Sequence, residues 1–181
     1  MSVTADAFRE ALAQWASGVT IVTSRRGEML HGMTVSAFAS VSLEPPLVLV
    51  CADKGSDTHG VIAASGCFAV NVLGRAHEAL SDKFAVPKDE HLRFEGVSHA
   101  AAETGAPMLD EALVIIDCRV EAAHDAGDHV IYVGRVLALR RREGDPLVYH
   151  RGRYRALAEE RDDRALVEER NDRALAEKRD G

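Results

Sequence analysis

The segment HGMTVSAFASVSLEPPLVLV, which begins at His31, alternates between apolar and hydroxyl-bearing positions and predicts an extended ribbon. One side of this ribbon carries Met33, Val35, Ala37, Ala39 and Val41. The other side carries Thr34, Ser36, Ser40 and Ser42, together with Phe38. Pro45 and Pro46 end the ribbon because neither residue can donate a ladder hydrogen bond. We expect one face to lie in the core and the other to need hydrogen-bond partners.

Several other segments have the pattern of strands. GVTIVTS, LVLVCA and CFAVNVL are short apolar strands, whereas ALVIIDCRVEAAH and HVIYVGRVLALRR are long and joined by the polar link DAGD. The two long segments predict an antiparallel hairpin. Many strands joined by short turns favour a mainly β, antiparallel, Greek-key-like barrel with helical decoration over an alternating βαβ fold.

Three segments have the pattern of helices. Phe8, Leu12 and Trp15 follow the spacing of an amphipathic helix that ends near Gly18. A second, short helix is predicted to be capped by Ser56, Asp57 or Thr58 and to be closed by Gly66. The third covers residues 74–85, with Leu80 and Phe84 facing inward, and a charged loop then leads to about Met108.

The C-terminal segment differs in kind from the rest of the chain. RALAEERDD, RALVEERND and RALAEKRDG form a tandem repeat of nine residues. Nine residues are not a whole number of helical turns, so the leucines form no continuous apolar stripe. We expect one domain over residues 1–157 and a charged tail over residues 158–181, either a solvated helix or disordered, with a partner-binding helix as the alternative.

Composition narrows the class of protein. A chain of 181 residues with 46% hydrophobic content is long enough for one sizeable core. The net charge of −7, without a basic stripe, disfavours nucleic acid and anionic membranes as partners. No secretory leader or apolar span is evident, so we expect a soluble, cytoplasmic protein. Cys51, Cys67 and Cys118 lie singly in apolar runs and predict neither disulfides nor a metal site.

Three features carry candidate chemistry, and the common nucleotide, nucleophile and zinc motifs are missing from the sequence. The hydroxyls of Thr34 and Ser36 suit the polar edge of a flat heteroaromatic ligand, or simply belong to a solvated edge strand. Lys54, Ser56 and Thr58 form either a phosphate cradle or an ordinary helix cap. His129 lies at the mouth of the predicted hairpin. It is either a site residue or an ordinary turn histidine that is exposed to solvent.

Taken together, these segments resemble the short-chain flavin reductase family, the reductase components of two-component flavin-dependent monooxygenases, which share the FMN-binding split-barrel fold. The resemblance covers about residues 8–157, and the charged tail lies outside it. It rests on WASGVTIVTS, HGMTVSAFASVSLEPPLVLVC, KGSDT, FAVNVL, GDHVIYVGRV and PLVYHRGRYRAL, which occur in the family's order.

The resemblance implies a set of flavin and nicotinamide contacts. The strand that lines the isoalloxazine would be Thr34, Val35, Ser36 and Ala37, with the strand end Cys51, Ala52 and Asp53 beside it. The phosphate site would be Lys54, Ser56, Asp57 and Thr58, with Asp57 acting through its backbone amide or as a cap. Further contacts would be Lys83, Phe84, Tyr149 and Tyr154, and His129 would position the nicotinamide or supply a proton.

The implied reaction is hydride transfer from NADH or NADPH to FMN or FAD, after which reduced flavin leaves for a partner monooxygenase. Family members commonly form homodimers, so the resemblance implies a homodimer. Two alternatives remain: a split-barrel oxidoreductase with tightly bound FMN that acts on a small organic substrate, and a non-catalytic flavin carrier whose tail docks a partner.

Overall fold

The computed structural model describes residues 2–158, and antiparallel sheet dominates this part of the chain. The helices are Ala5–Leu12 (α1), Asp57–Ser65 (α2) and Glu78–Ala85 (α3), with a 3-10 helix at Pro87–Leu92. The strands are Ser17–Gly18 (β1), Thr20–Arg26 (β2), Met29–Val35 (β3), Phe38–Leu43 (β4), Pro46–Asp53 (β5), Cys67–Val72 (β6), His99–Ala101 (β7), Pro107–Leu109 (β8), Val114–Ala126 (β9), His129–Arg141 (β10), Val148–His150 (β11) and Arg153–Arg155 (β12).

The main sheet closes on itself through the chain between β3 and β4. Its strand order is β3-β2-β6-β9-β10-β5-β4, so β3 and β4 lie at opposite edges. Only Ser36 and Ala37 join these two strands, which forces the sheet to curl until its edges meet. No ladder pairs β3 with β4 within the described residues, although the Cys51 amide donates to the Ala37 carbonyl at 3.1 Å. The barrel is therefore open at this seam.

The long hairpin predicted from the sequence is confirmed. β9 and β10 pair antiparallel over almost their full length, and Gly127 turns the chain with a φ of 66°. β10 also pairs with β5, where His129 lies opposite Asp53. The hairpin thus brings its turn to the end of β5, immediately before α2.

The two larger apolar clusters of residues 2–158 hold most of the elements together. The barrel interior contains Val22, Met33, Val35, Val48, Val50, Ala52, Ile62, Phe68, Val70, Cys118 and Tyr132. A second cluster, which lies between the sheet and α3, contains Val19, Ile21, Leu73, Phe84, Leu109 and Leu147. Because both clusters touch β2, the barrel and its helical cover form one packed unit.

The predicted ribbon is interrupted, and part of its assigned core face is wrong. Met33 and Val35 are buried as expected, but Ala37, Ala39 and Val41 are exposed, whereas Phe38 packs against the barrel interior. The break at the seam shifts the alternation, because β3 pairs with β2 and β4 pairs with β5. The ribbon ends at Leu43, just before the prolines, as predicted.

The first helix is shorter than predicted and its apolar face is not buried. α1 ends at Leu12 rather than near Gly18, because Ser17 and Gly18 pair with β11. Phe8, Leu12 and Trp15 remain 57%, 56% and 76% exposed.

Two other boundaries also differ from the sequence prediction. α3 begins at Glu78, four residues after the predicted start at Gly74, although its end at Ala85 and its buried Phe84 agree. The charged loop before Met108 contains the small β7–β8 hairpin. The charged tail predicted over residues 158–181 lies outside the described residues except for Ala158. None of the helices in the described part of the chain has the length and hydrophobicity of a membrane-spanning segment.

Candidate functional site

A cavity of about 790 Å³ opens beside the seam of the barrel. Its walls come from the end of β3, the N-terminus of α2, the segment from α3 through the 3-10 helix, and the β11–β12 hairpin. Sequence-predicted site residues in its lining are Thr34, Ser36, Asp53, Ser56, Asp57, Phe84, Tyr149 and Tyr154. This volume lies within the range of small-molecule and cofactor sites.

The N-terminus of α2 presents hydrogen-bond donors at one end of the cavity. Ser56 caps the helix by accepting from the His59 amide at 3.1 Å and donates to the Asp53 carbonyl at 2.8 Å. Gly66 ends the helix in the left-handed conformation, as predicted. Thr58 is fully buried behind the cavity-lining residues Ser56 and Asp57 and does not itself line the cavity, and its hydroxyl has no partner within the described residues. Free first-turn amides and an unpartnered hydroxyl are a donor set that fits a phosphate.

The two hydroxyls predicted to face a ligand at the end of β3, those of Thr34 and Ser36, have different surroundings. Thr34 lines the cavity, but its hydroxyl donates to the Ser81 carbonyl at 2.6 Å, which ties β3 to α3. Ser36 is exposed at the seam. Val35 points into the barrel interior, while Phe84 packs edge-on against Phe94 with ring centroids 5.2 Å apart. Of the Thr34 and Ser36 hydroxyls, only that of Ser36 has no hydrogen-bond partner within residues 2–158.

A second, more apolar cavity adjoins the first along α1. This α1 groove has a volume of about 930 Å³ and is lined by Phe8, Arg9, Leu12, Ala13, Trp15, Ser17, Ser36, Ala37, Phe38, Ala39, Leu49, Cys51, Tyr149, Arg151 and Gly152. Ser36, Tyr149 and Gly152 line both cavities. The predicted site residues Ala37 and Cys51 therefore lie in the α1 groove, and burial raises the pKa of the Cys51 thiol.

Two predicted basic contacts are turned toward other parts of the protein. Lys54 Nζ lies 2.5 Å from an Asp125 carboxylate oxygen and donates to the Gly127 carbonyl at 2.6 Å, at the β9–β10 turn. Lys83 Nζ donates to the Glu95 carbonyl. Neither lysine lines the cavity, and Ala52 is buried inside the barrel.

His129 lies at the hairpin mouth, as predicted, outside the lining of either cavity. Its Nδ1 is 2.7 Å from an Asp128 carboxylate oxygen, and its side chain is 41% exposed. The hydrogen bond to His129 lowers the pKa of the Asp128 carboxyl. Because His129 pairs opposite Asp53, the imidazole lies one strand away from the cavity wall.

Tyr149 and Tyr154 form the aromatic wall of the cavity. Their rings meet edge-on with centroids 5.6 Å apart. The Tyr154 hydroxyl is 2.9 Å from Ser81 Oγ and donates to Asp82 Oδ1 at 2.6 Å. Burial, together with the bond to Asp82, raises the pKa of Tyr154. These contacts hold the β11–β12 hairpin against α3.

Sequence reasoning missed Glu90 and Arg93, which also line the cavity. Arg93 is buried, and it donates to the Gly32 carbonyl at 2.6 Å, the Val86 carbonyl at 2.9 Å and Glu90 Oε1 at 2.7 Å. Both residues lie in the segment before Met108 that the sequence predicts to be a charged loop. The available signal was their i, i+3 spacing immediately before Phe94, an apolar anchor in that loop.

Comparison with known proteins identifies the family. The model of the flavin reductase like domain matches residues 12–158, so this chain belongs to that family. The family resemblance and the mainly β split-barrel fold predicted from the sequence are confirmed. Within residues 2–158, no group of three or more His, Cys, Asp or Glu side chains is placed to hold a metal ion.

Curated and solved relatives agree with this family. The chain is 40% identical over 151 residues to FMN reductase (NADH) RutF 2 of Rhizobium rhizogenes, covering 83% of this chain and 87% of the relative. It is 43% identical over 154 residues to the reductase component of 4-hydroxyphenylacetate 3-monooxygenase of Thermus thermophilus, covering 84% and 96%. The NADH:FAD oxidoreductase SgcE6 of Streptomyces globisporus, solved with NAD and FAD fragments, superimposes with a TM-score of 0.81 at 33% identity, covering 87% and 94%.

Proposed function

We propose that this protein is an NAD(P)H-dependent flavin reductase that transfers hydride to FMN or FAD and supplies reduced flavin to a partner monooxygenase. The observation that carries this proposal is the cavity at the barrel seam, which has a phosphate-compatible helix N-terminus at one end and aromatic side chains along its wall. Family membership and relatives named as NADH-dependent FMN or flavin reductases support it.

In this proposal the flavin phosphate binds at the start of α2. The amides of Asp57 and Thr58 and the Thr58 hydroxyl would hold the phosphate. The amide and hydroxyl of Ser56 both donate to the Asp53 carbonyl, so Ser56 would hold the start of the helix in place. Lys54 would contribute only after leaving Asp125. Lys83 donates a hydrogen bond to the Glu95 carbonyl and would contact the ligand only at the edge of the cavity.

The ring would lie along the seam. Thr34, Ser36 and Ala37 would face it at the seam and Cys51 and Asp53 at the end of β5, whereas the side chains of Val35 and Ala52 lie inside the barrel. Phe84, Tyr149 and Tyr154 would cover apolar atoms. Bound flavin supplies the acceptor for the hydride of a reduced nicotinamide. The chain's task is to hold two flat rings in contact and to exclude water from between them. His129, one strand away, would position the nicotinamide or hold a proton at its imidazole.

If the flavin phosphate binds at the start of α2, the Thr58→Val substitution should weaken the binding of FMN but not the binding of riboflavin, which has no phosphate. This substitution removes a buried hydroxyl that has no partner within residues 2–158 while it keeps the side-chain shape. We expect unchanged or higher stability, about tenfold weaker FMN binding and unchanged riboflavin binding, measured by equilibrium titration. Equal effects on both flavins would contradict the assignment.

Anaerobic mixing tests the hydride step itself. The purified protein with FMN bound is mixed with NADH in the absence of oxygen, and the absorbance of oxidised flavin is followed. The proposal predicts bleaching at a rate that saturates with NADH. Flavin that stays oxidised would instead favour a non-catalytic carrier.

The α1 groove supports a homodimer in which a second copy of the chain covers it. Phe8, Leu12 and Trp15 are exposed together beside the ligand cavity, and apolar side chains exposed in one patch mark an interaction surface. We expect Leu12→Glu to halve the mass measured by light scattering. Met29→Glu places the same charge on an exposed apolar position outside the groove and serves as the control. Dimers in both variants would rule out this interface.

A further inference from the structure

A buried arginine lines the ligand cavity. In the described part of the chain the basic residues of the lining are Arg93 and Arg153, and of these only Arg93 is buried, at 3% exposure. Lys54 and Lys83, the cations predicted from the sequence, donate to carbonyls elsewhere and do not line the cavity. Because a charge acts more strongly where water is excluded, Arg93 is the cation that a ligand in the cavity would sense most.

The protein uses only part of the hydrogen-bonding capacity of this guanidinium. Nη1 donates to the Gly32 carbonyl at 2.6 Å and to Glu90 Oε1 at 2.7 Å, and Nη2 donates to the Val86 carbonyl at 2.9 Å. Nε is buried and has no partner within residues 2–158. A buried donor without an acceptor needs an explanation, and an acceptor on a ligand in the cavity provides one.

A second buried donor without a partner borders the same cavity. It is the Thr58 hydroxyl, in the first turn of α2, directly behind the lining residue Asp57. Buried polar groups without partners are rare in folded proteins. Two such donors around one cavity, one of them on a cation, point to a ligand that is rich in acceptors and negatively charged, such as a phosphate.

Glu90 places a negative charge directly against Arg93. It lines the same cavity, three residues before the arginine in the sequence. The pair is shielded from water, since the side chains of Arg93 and Glu90 are 4% and 21% exposed. The carboxylate therefore offsets part of the positive charge that a ligand would sense.

The other charged groups of the lining also oppose an anionic ligand. Its acidic residues are Asp53, Asp57, Asp82 and Glu90, against two arginines. The first-turn amides of α2 attract an anion, as does Arg93. Like charges in a partly buried site repel each other, so Glu90 acts against both attractions. The affinity for a phosphate is thus a difference between opposing contributions, and Glu90 is the acidic group joined to the buried cation.

We propose that the Arg93–Glu90 pair sets the affinity of the cavity for the phosphate of a flavin nucleotide, with Arg93 strengthening the binding and Glu90 weakening it. This inference rests on the proposed function, because it takes a flavin nucleotide as the anionic ligand. Glu90 thereby keeps binding of the nucleotide reversible, which a reductase that releases reduced flavin requires. The two residues determine how strongly the site prefers a phosphorylated flavin.

Equilibrium titrations with FMN and riboflavin test the proposal. Riboflavin has the same ring and ribityl chain without the phosphate, so a disturbed ring site changes both affinities together, whereas the pair changes their ratio. A pH of about 8 keeps the Glu90 carboxyl ionised, although burial raises its pKa. For Glu90→Gln we expect the ratio of FMN to riboflavin affinity to rise about tenfold. For Arg93→Gln we expect the ratio to fall by a similar factor.

An ion pair on the outer surface provides matched controls. Arg135 and Glu121 are joined by two hydrogen bonds, at 2.9 and 2.8 Å, and line neither cavity. Glu121→Gln and Arg135→Gln change the net charge of the protein by the same amounts and should leave the ratio unchanged. Denaturation midpoints are measured for every variant. If Arg93→Gln does not fold, Glu90→Gln decides alone, because glutamine keeps an acceptor for Arg93 Nη1.

The outcomes separate this inference from the proposed function. A higher ratio in Glu90→Gln, with Glu121→Gln equal to the wild type, supports the role of the pair. An unchanged or lower ratio in Glu90→Gln, or an equal rise in Glu121→Gln, would overturn that role and leave the flavin reductase proposal intact. Failure of the wild type to bind either FMN or riboflavin would overturn both proposals.

Discussion

Gly134 lies where β10 passes directly over the ring of Phe68. A Cβ at this position would overlap Phe68 Cζ and come within 2.8 Å of Cys118 Cβ, both inside the barrel. Since a packed core cannot yield easily to added volume, we expect Gly134→Ala to lower the free energy of unfolding by about 1–3 kcal/mol. Chemical denaturation with a comparison of midpoints measures this change.

Gly60 provides the matched control for that substitution. It lies within α2, and a Cβ there would meet no atom within 4 Å apart from its chain neighbours and the backbone of its own helix. Alanine favours helix over glycine by up to about 1 kcal/mol, so Gly60→Ala should stabilise the protein. Destabilisation by both substitutions to a similar extent would contradict the packing described for β10.

The Cys118 thiol should be inert in the folded protein. Burial, with a smaller contribution from the Asp117 charge, raises its pKa to about 12. The thiolate is the reactive form, so we expect no alkylation of Cys118 by iodoacetamide under mildly alkaline native conditions and full alkylation after unfolding. Mass spectrometry of the peptides measures both. Rapid native labelling of Cys118 would show that the barrel interior opens.

At the scale of residues, sequence reasoning located many groups of the site but not their partners. Ser56 was correctly among the predicted helix caps, because capping depends on local chain order. Thr34 lines the cavity, yet its hydroxyl bonds to Ser81, a residue far away in the sequence. Arg93 was missed because a buried arginine is recognised by the carbonyls that surround it, and these come from distant segments.

At the scale of elements, the β11–β12 hairpin depends on Tyr154 for its attachment to α3. Tyr154→Phe removes the hydrogen bonds to Ser81 and Asp82 while the ring packing is kept. We expect a loss of about 1 kcal/mol in stability and faster hydrogen exchange of the hairpin amides. Because the hairpin forms one cavity wall, the Michaelis constant for the reduced nicotinamide should rise.

Tyr149→Phe is the control for this hairpin. The Tyr149 hydroxyl makes no hydrogen bond within residues 2–158, so its removal should leave hydrogen exchange of the hairpin unchanged. Equal acceleration of exchange in both variants would show that the attachment does not depend on the Tyr154 hydroxyl.

Elements that depend on the local pattern of apolar and polar residues could be predicted from the sequence. Features that depend on which strands pair with each other could not. The β9–β10 hairpin followed from two alternating segments and a short polar link. The break at Ser36 and Ala37 did not, since period-two alternation contains no information about which strand is the neighbour. The early end of α1 likewise results from the pairing of Ser17 and Gly18 with β11.

At the scale of the whole molecule, one connection accounts for both architecture and site. Because β3 and β4 occupy opposite sheet edges and are joined by only Ser36 and Ala37, these edges come together without a ladder between them in residues 2–158, and the barrel stays open there. The resulting seam is where the ligand cavity and the α1 groove meet. The proposed flavin site and the proposed dimer surface are therefore neighbours, and loss of the dimer should weaken flavin binding.

The most direct test of the central claim is whether free flavin is turned over as a substrate. Oxidation of NADH and NADPH by the purified protein is followed without flavin and with increasing FMN or FAD. The account predicts many turnovers per protein molecule, a rate that saturates with added flavin, and little oxidation without it. Oxidation independent of added flavin, or binding of flavin with no oxidation, would contradict a flavin reductase.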